Sequence, residues 1–307
     1  MTGTTEYGLG AIESPPDPRD YPIADLYAAL GLEAVALPAR YEHAPMPPVL
    51  NQHTTPQCVA FSAAAEQMAY DVRDQKSWFA FDEARFFTMI GGGPGGADVR
   101  VALGVRKAAG YPTVGHNDAG SHRIAAYYAV PRDVLSIKQA IFTFGPLILA
   151  TPWANSWFHP VNGVLPAPSG GIAGGHAIVA YGWDDAGLLL RNSWGAAWGV
   201  AGDAFLPYSQ IGTTWSWWRA VDVIELTRWT MNVAANAVVL VATIATGGCI
   251  SGWTSRKWGP VASSAPASAP VTRRGCSSGS AQTTRVTAGA FAGRDVRVGN
   301  GVTLTLS

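Results

Sequence analysis

Three residues of this sequence have the side chains needed for nucleophilic catalysis by a thiol. Cys58 begins a predicted helix, where the partial positive charge of unpaired amides lowers the pKa of a thiol and favours the thiolate. His176 follows two glycines and begins an apolar strand, and Asn192 ends another strand. An asparagine carbonyl can accept the imidazole proton and hold the ring towards the thiol. Taken singly, the three residues could equally be a small buried side chain, a hydrogen-bonded strand end and a turn.

Two further side chains could complete such a site. Gln52 lies six residues before Cys58. Its amide and the backbone N–H of Cys58 could together stabilise the oxyanion of a tetrahedral intermediate. Trp194 follows Asn192 closely and could shield the hydrogen bond to the histidine from water. A solvated loop glutamine and a core tryptophan are the alternatives.

The segments around these residues predict an α+β protein with two segregated lobes, because helices fill the first half and strands the second. Apolar residues recur at steps of three and four from Cys58 to Val72, which predicts the helix that begins near the cysteine. The predicted helices are 57–74, 82–90, 98–109 and 134–142, and the predicted strands are 147–150, 177–183, 188–191, 203–206 and 220–226.

Composition excludes several classes of protein. The chain has 307 residues, and its 21 Lys and Arg balance 21 Asp and Glu, with a pI near 7.0. Without a net positive field, nucleic acid is not an expected partner. Charged residues make up 14% and hydrophobic residues 48%, a balance too apolar for a disordered chain. No cluster of His, Cys, Asp and Glu has ligand spacing, so neither a metal nor another cofactor is expected.

The candidate segments resemble those of the papain family of cysteine peptidases. The stretch 51–62 resembles the family's segment around its glutamine and nucleophilic cysteine. The stretches 175–177 and 192–195 resemble its histidine and asparagine segments. The order Cys, His, Asn also matches, and Asn192 follows Cys58 within the family's spacing of roughly 130–150 residues. His176 is somewhat closer to the cysteine, which indicates trimmed loops.

The resemblance implies a papain-like two-lobe fold, with a helical lobe, an antiparallel β lobe and the active cleft between them. It implies an endopeptidase in which Cys58 attacks the peptide carbonyl, His176 is the base, Asn192 orients the histidine and Gln52 helps to hold the oxyanion. The expected partner is therefore a peptide or protein substrate. Gly175 and Trp194 are expected to line the substrate site.

A glycine pair adds a further similarity. Gly95 and Gly96 resemble the family's glycine pair, whose backbone pairs with the substrate near P2, the second residue before the scissile bond. A flexible surface loop is the alternative. The family pattern would then put Asp98 near the S2 wall, where its carboxylate would favour Arg or Lys at P2. Alternatively, Asp98 is only a helix N-cap.

Departures from the family pattern indicate a bacterial or phage-type branch. Val59 follows the nucleophile where the family usually has tryptophan, and Thr55 stands where it often has a disulfide cysteine. The leader is too short for a long helical inhibitory propeptide. Because no basic segment precedes an apolar one, a Sec signal peptide is not expected. The bacterial cytoplasm, secretion by another route and a phage virion stay open as locations.

Changes in composition divide the chain into five predicted parts. These are an N-terminal leader or wrap at 1–37, the peptidase domain at 38–226, an apolar Trp-containing segment at 227–260, a low-complexity linker at 261–282 and a small β-rich tail at 283–307.

Two features of the tail leave alternatives open. Residues 233–250 could form a short membrane span or a pair of strands. Cys249 and Cys276 could pair in an oxidising compartment. Association with a membrane or a larger particle through this tail stays a possibility.

Two other functions are compatible with the same residues. A Cys-His-polar triad could cleave the stem peptides of bacterial cell walls. The fold could also serve as a silent binding module. Retention of the four candidate catalytic residues argues against the silent module, and parallel digestion of casein and peptidoglycan would separate the two hydrolases.

Overall fold

A computed structural model describes residues 6–30, 32, 35–75, 77–115 and 122–222, and short strands between residues 228 and 306. The chain divides into two compact units. One comprises Met1–Asp25 and Val35–Asp222, and the other comprises Leu26–Ala34 and Val223–Ser307. The candidate catalytic residues all belong to the first unit. The five-part division drawn from the sequence stays a prediction.

The helices of the first unit begin where the sequence predicts. They are α2 (Cys58–Gln75), α3 (Glu83–Met89), α4 (Val99–Ala108) and α5 (Val134–Phe144), after the short α1 (Ile23–Leu30). Asp82, Asp98 and Asp133 cap α3, α4 and α5, each accepting the N–H three residues ahead. The four predicted helices are thereby confirmed.

The strands form one mostly antiparallel sheet with the order β4-β9-β5-β6-β7-β8. The strands are β4 (Ile124–Val130), β5 (Leu147–Ala154), β6 (Ile172–Trp183), β7 (Leu188–Arg191), β8 (Asp203–Leu206) and β9 (Ser216–Asp222), and β2 (Tyr41–Glu42) pairs with β6. A separate parallel pair joins β1 (Ala11–Ile12) to β3 (Ala97–Asp98). The α+β class is confirmed.

Several strands differ from the sequence prediction, among them β6, β9 and β4. Strand β6 begins at Ile172, because Gly174 and Gly175 pair with Trp153 and Pro152 of β5 and so lie inside the sheet. Strand β9 (Ser216–Asp222) begins earlier than predicted, and residues 223–226 of the predicted strand lie outside the described residues. Strand β4 was not predicted, and it is held in the sheet by pairing with β9. In each case pairing with a neighbouring strand decides the outcome rather than local propensity.

Helix α2 carries Cys58 into the centre of the hydrophobic core. Its inward face packs with residues of α3, α4 and the sheet, including Phe86, Leu103, Ile148 and Trp218. Because all of these side chains are almost fully buried, the N-terminus of α2 is held rigidly against β6.

A buried polar network joins α2 to α4. Arg106 donates to Glu66 Oε2 at 2.6 Å and to Gln67 Oε1 at 2.9 Å, and both charged side chains are fully buried. Gln67 in turn donates to Asp222 Oδ2 of β9 at 2.6 Å. The network therefore fixes α2, the helix that begins at Cys58, to α4 and to β9.

Besides the end of α1, the described residues of the second unit form short strands. A three-stranded antiparallel sheet contains β10 (Arg228–Val233), β11 (Val238–Ala245) and β12 (Cys249–Lys257). The remaining pairs join β13 (Val271–Arg273) to β16 (Leu304–Leu306) and β14 (Gln282–Arg285) to β15 (Asp295–Val298). The described part of 233–250 is thus strand, as in the second of the two alternatives.

Within the described ranges, no helix is long and apolar enough to cross a membrane. Strand β13 lies inside the predicted linker, most of which falls outside the described residues. Cys276 also lies outside them, so its pairing with Cys249 stays a prediction.

Removal of one partner of the buried ion pair should destabilise the first unit strongly. Arg106→Met leaves the Glu66 charge without its partner in a dry environment, so we expect a loss of about 3–5 kcal/mol in the free energy of unfolding. Urea denaturation measures it. The double variant with Glu66→Leu should recover much of the loss.

Arg40→Met, which breaks an exposed pair with Asp185, is the control and should leave the midpoint of urea unfolding almost unchanged. A midpoint for Arg106→Met equal to that of Arg40→Met would contradict a structural role for the network.

Candidate active site

The structure brings His176 and Asn192 into direct contact. His176 Nε2 lies 2.8 Å from Asn192 Oδ1, and the same oxygen accepts the backbone N–H of Ser193 at 2.8 Å. Since Oδ1 is an acceptor, Nε2 carries the proton in the neutral imidazole. Nδ1 is then a lone-pair acceptor, and it has no hydrogen-bond partner among the described residues. This is the tautomer that can take a proton from a thiol.

Cys58 lies beside the strand that carries the histidine. Its thiol is fully buried at the first turn of α2, next to the backbone N–H of Ala177. Tertiary packing of α2 on β6 therefore brings the cysteine next to the residue that follows His176. This packing brings Cys58 close to a strand that lies more than 110 residues further along the chain.

Two tryptophans enclose the histidine ring. Trp194 stacks on it with centroids 4.5 Å apart and planes at 28°, and Trp153 meets it edge-on at 4.8 Å. Both indoles are almost fully buried, so they keep water from the hydrogen bond between His176 and Asn192. Trp194 is expected here from the sequence, whereas Trp153 is not. Only the pairing of Trp153 with Gly174 across the sheet places it there, and no local pattern signals this.

Gln52 is fixed in place rather than solvated. It is 1% exposed, and its Oε1 accepts the Ser193 hydroxyl at 2.7 Å. Its Nε2 donates to Thr55 O at 2.7 Å and to Gly8 O at 3.2 Å. Trp194 Nε1 donates to the same Gly8 oxygen at 3.1 Å. Two donors thus converge on one carbonyl oxygen, the arrangement that an oxyanion requires.

The N-terminal leader supplies that carbonyl and covers the site. Residues 7–12, the leader strand, run between β3 and β6. Gly10 donates to Gly175 O at 2.9 Å and accepts from Ala97 N at 2.7 Å. Ala11 pairs with Ala97 in the parallel β1–β3 ladder. As a result, the side chains of Cys58 and His176 are both fully excluded from solvent.

Glycines make this close approach possible. A Cβ on Gly8 would lie 2.0 Å from Thr55 O, and one on Gly10 would lie 2.2 Å from Pro56 O. On the walls of the cleft, a Cβ on Gly96 would lie 1.7 Å from Gly10 O, and one on Gly175 would lie 2.0 Å from Ala11 O. Gly96 and Gly175 therefore contact the leader strand in this structure, and their binding of substrate stays a prediction. Gly95 faces open space.

Asp98 is the N-cap of α4, as in the second of its two alternatives. Its Oδ1 accepts from Val101 N at 3.0 Å and also from the Ser14 hydroxyl at 2.7 Å. The carboxylate therefore stabilises the helix and anchors the leader just after the leader strand. A second anchor follows, since Asp20 forms a bidentate pair with Arg100 at 2.8 and 2.6 Å. The effect of Asp98 on P2 preference stays a prediction.

Burial sets the protonation of Cys58 and His176. It raises the pKa of the Cys58 thiol to about 12, although hydrogen bonds from backbone groups of Ala177, Gly10 and Val59 act in the opposite direction. Burial also lowers the pKa of His176 to about 4, against a smaller rise from its hydrogen bond with Asn192. The expectation of a lowered thiol pKa at the helix start is therefore wrong for this covered form, because desolvation outweighs the helix dipole. The resting pair is a neutral thiol and a neutral imidazole.

No group of three or more His, Cys, Asp or Glu in the described ranges could hold a metal ion.

Sequence comparison gives a match over one part of the chain. Residues 106–210, which include His176 and Asn192, match the family described as papain family cysteine protease. A gut-specific cysteine proteinase of Caenorhabditis elegans is 35% identical over 97 residues, which is 30% of this chain and 29% of that protein. Human cathepsin O is 35% identical over 72 residues, 22% of each chain. The matches cover less than a third of the length of these curated relatives.

Comparison with solved structures extends over most of the first unit. Xylellain, a cysteine protease from Xylella fastidiosa, superposes with a TM-score of 0.61 at 23% identity, covering 71% of this chain and 97% of its own. Procathepsin B from Trypanosoma congolense has a TM-score of 0.56 at 15% identity, covering 71% and 87%. At these identities the likeness concerns the fold, and the bacterial or phage-type branch stays a prediction. The chain has a papain-like α+β fold, and its residues 106–210 are similar to the papain family of cysteine proteases.

Proposed function

We propose that this chain is a cysteine endopeptidase that uses Cys58, His176 and Asn192. The observation that carries the proposal is the hydrogen bond between His176 Nε2 and Asn192 Oδ1, which leaves Nδ1 available as a base beside a thiol. Asn192 holds the ring in this tautomer, and Trp194 and Trp153 keep the bond dry. The names of the relatives, cathepsins among them, support peptide or protein substrates.

The reaction has two stages. His176 takes the proton of Cys58, the sulfur attacks the peptide carbonyl carbon, and the oxygen becomes an oxyanion. Gln52 Nε2 is a suitable donor to that oxygen because it already donates to Gly8 O, and the Cys58 N–H is the proposed second donor. The C–N bond then breaks as the imidazolium protonates the leaving amine. Water hydrolyses the remaining thioester and frees the cysteine.

The leader strand lies in the cleft with the polarity opposite to that of the proposed substrate. In the substrate, residues before the scissile bond lie along the glycine pair, as the resemblance implies. In the leader, Gly10 and Ala11 lie there, but they follow the Gly8 carbonyl that occupies the donors. Its peptide bond is thus presented backwards, which favours occupation without cleavage. We therefore expect the resting protein to be latent.

A cell-wall hydrolase with the same triad is the second candidate, because the geometry of the triad does not depend on the sequence of the peptide. Parallel digestion of casein and purified peptidoglycan by the full chain carrying Gly10→Ala separates the two. Release of stem peptides without casein cleavage would favour the cell-wall hydrolase. If neither is cleaved and Cys58 fails to react with a thiol-directed epoxide although iodoacetamide reaches it, the silent binding module is favoured.

Substitutions in the triad should have unequal effects. In the Gly10→Ala background, Cys58→Ala should remove measurable casein hydrolysis, because the nucleophile is lost and alanine suits the helix. Asn192→Ala should lower kcat by roughly 10²–10⁴-fold but leave activity, since asparagine only orients the imidazole. Initial rates on a fluorogenic peptide measure both. Equal rates for Cys58→Ala and its parent would exclude the thiol mechanism.

Gly10→Ala should open the cleft in the full chain. The added methyl group would overlap Pro56 O, so the leader strand has to move away. We expect the rate of Cys58 alkylation by iodoacetamide to rise by at least about tenfold, and peptide mapping separates this cysteine from Cys249 and Cys276. Gly104→Ala is the matched control, because a Cβ there meets open space. No difference between the two variants would show that the leader does not cover the thiol in solution.

Acidification should destabilise the covered form through His176. Its folded-state pKa of about 4 lies below the ordinary value of 6.5, so the unfolded chain binds more protons between these pH values. Stability therefore rises with pH through this window and falls on acidification. Between pH 7 and 4.5 the wild type should lose about 2–3 kcal/mol more than His176→Gln, whose amide can still donate to Asn192. Urea unfolding at both pH values measures the difference, and parallel losses would refute the buried neutral histidine.

A further inference from the structure

An aromatic side chain of the leader rests on two rings next to the catalytic residues. The Tyr7 ring stacks on Trp194 with centroids 4.7 Å apart and planes at 13°. It is also parallel to Phe158, at 6.4 Å and 15°. Phe158 and Trp194 stack on each other at 5.5 Å and 20°. We call the surface made by Trp194 and Phe158 the aromatic platform.

The platform is held by residues outside the leader. Trp153 and Trp198 meet the edge or face of Trp194 at 5.1 and 5.6 Å, with planes almost perpendicular to it. Trp198 Nε1 donates to Phe158 O at 3.0 Å. Because these contacts do not involve the leader strand, the two rings keep their places when Tyr7 leaves, and a flat apolar surface is then uncovered.

The position of the platform relates it to the proposed scissile bond. Gly8, the neighbour of Tyr7, places its carbonyl oxygen on the Gln52 and Trp194 donors. Gly10 and Ala11 extend from that point towards Gly175 and Ala97, so Tyr7 lies on the other side. With the substrate direction proposed above, this is the side of the leaving group. Because the leader strand runs opposite to the proposed substrate, its Cα atoms do not coincide with those of a substrate. The platform therefore corresponds to either the first or the second substrate residue after the scissile bond.

We infer that the aromatic platform is a specificity subsite for an aromatic side chain at the first or second position after the scissile bond, and that Tyr7 fills it in the resting protein. The inference rests on the proposed endopeptidase function. Near-parallel stacking stabilises a bound planar ring by more than the burial of its apolar area alone. An aromatic side chain should therefore be preferred to leucine by roughly two- to tenfold. Phe158 is the specificity-determining residue, since Trp194 also contacts the catalytic histidine.

The first experiment measures the selectivity of the platform without any catalysis. Tyr7→Phe, Tyr7→Leu and Tyr7→Ala are made in the full chain, and iodoacetamide alkylation of Cys58 reports how often the leader strand leaves. Phe should keep the rate within about twofold of wild type, whereas Leu and Ala should raise it by roughly three- to tenfold. Equal rates for Leu and Phe would overturn the aromatic preference.

The second experiment measures substrate choice. The full chain carrying Gly10→Ala digests a peptide library, and sequencing of the products reads the residues on both sides of each cut. Phe, Tyr and Trp should be enriched at least threefold at the first or second position after the cut. Phe158→Leu should reduce this enrichment to about one, whereas Phe142→Leu, on helix α5 and in contact with Tyr41, should retain it.

The outcomes separate the two proposals. Cleavage without aromatic enrichment, or with an enrichment that persists in Phe158→Leu, overturns the platform as a specificity subsite. Enrichment of Arg or Lys instead would identify a surface that binds cations. If no peptide is cut although Cys58 is accessible to iodoacetamide, the endopeptidase proposal fails. The Tyr7 series then decides by itself whether the platform selects aromatic rings.

Discussion

The close approach of the leader backbone to both walls of the cleft determines the burial and the charge of Cys58 and His176, which lie beneath it. Gly10 is bonded to Gly175 on the sheet side and to Ala97 on the helical side, so one residue joins the two walls. Gly10, Gly96 and Gly175 all lack the Cβ that would meet backbone atoms at about 2 Å. The cleft is thus matched to a strand of bare backbone, a requirement that side-chain complementarity alone would not impose.

This contact also decides the charge of the catalytic pair. A thiolate and an imidazolium sealed under the leader would both lose their hydration, and their mutual attraction would have to offset that cost. The neutral pair avoids the cost, and this is the direction in which burial moves both pKa values. Covering of the site by the leader strand is therefore linked to the neutral forms of the Cys58 thiol and the His176 imidazole. Any condition that favours the ionised pair must also favour departure of the leader strand.

The sequence predicts those parts of the molecule in which local pattern and tertiary position agree. Helix α2 has an unbroken apolar stripe, a preceding proline and a complete set of buried contacts, so its prediction succeeds. Strand β6 shows the limit, because Gly174 and Gly175 resemble a loop and become strand only by pairing with β5. The resemblance of the sequence to the papain family predicts Cys58, His176 and Asn192 as the candidate residues.

The cover over the catalytic residues could not be predicted in the same way. Residues 7–12 have no periodicity, and their role depends on donors that lie far along the chain, at Gln52, Ala97 and Trp194. The same holds for Trp153, which reaches His176 only through strand register. The sequence alone therefore does not predict these contacts, because they join residues that are distant along the chain and have no local pattern.

Trp194 connects the chemistry of the site to its binding surface. Its ring stacks on His176, its N–H donates to the Gly8 carbonyl of the leader strand, and its ring also receives Tyr7. A substitution there would alter the shielding of the hydrogen bond between His176 and Asn192, the hold on the leader strand and the platform at once, so its effect could not be assigned to any one of them. Phe158 stacks on Trp194 and Tyr7 from a 3₁₀ turn that follows β5. Because a ring bound on this platform would pack against the indole that also stacks on His176, the proposed subsite and the proposed base share one side chain.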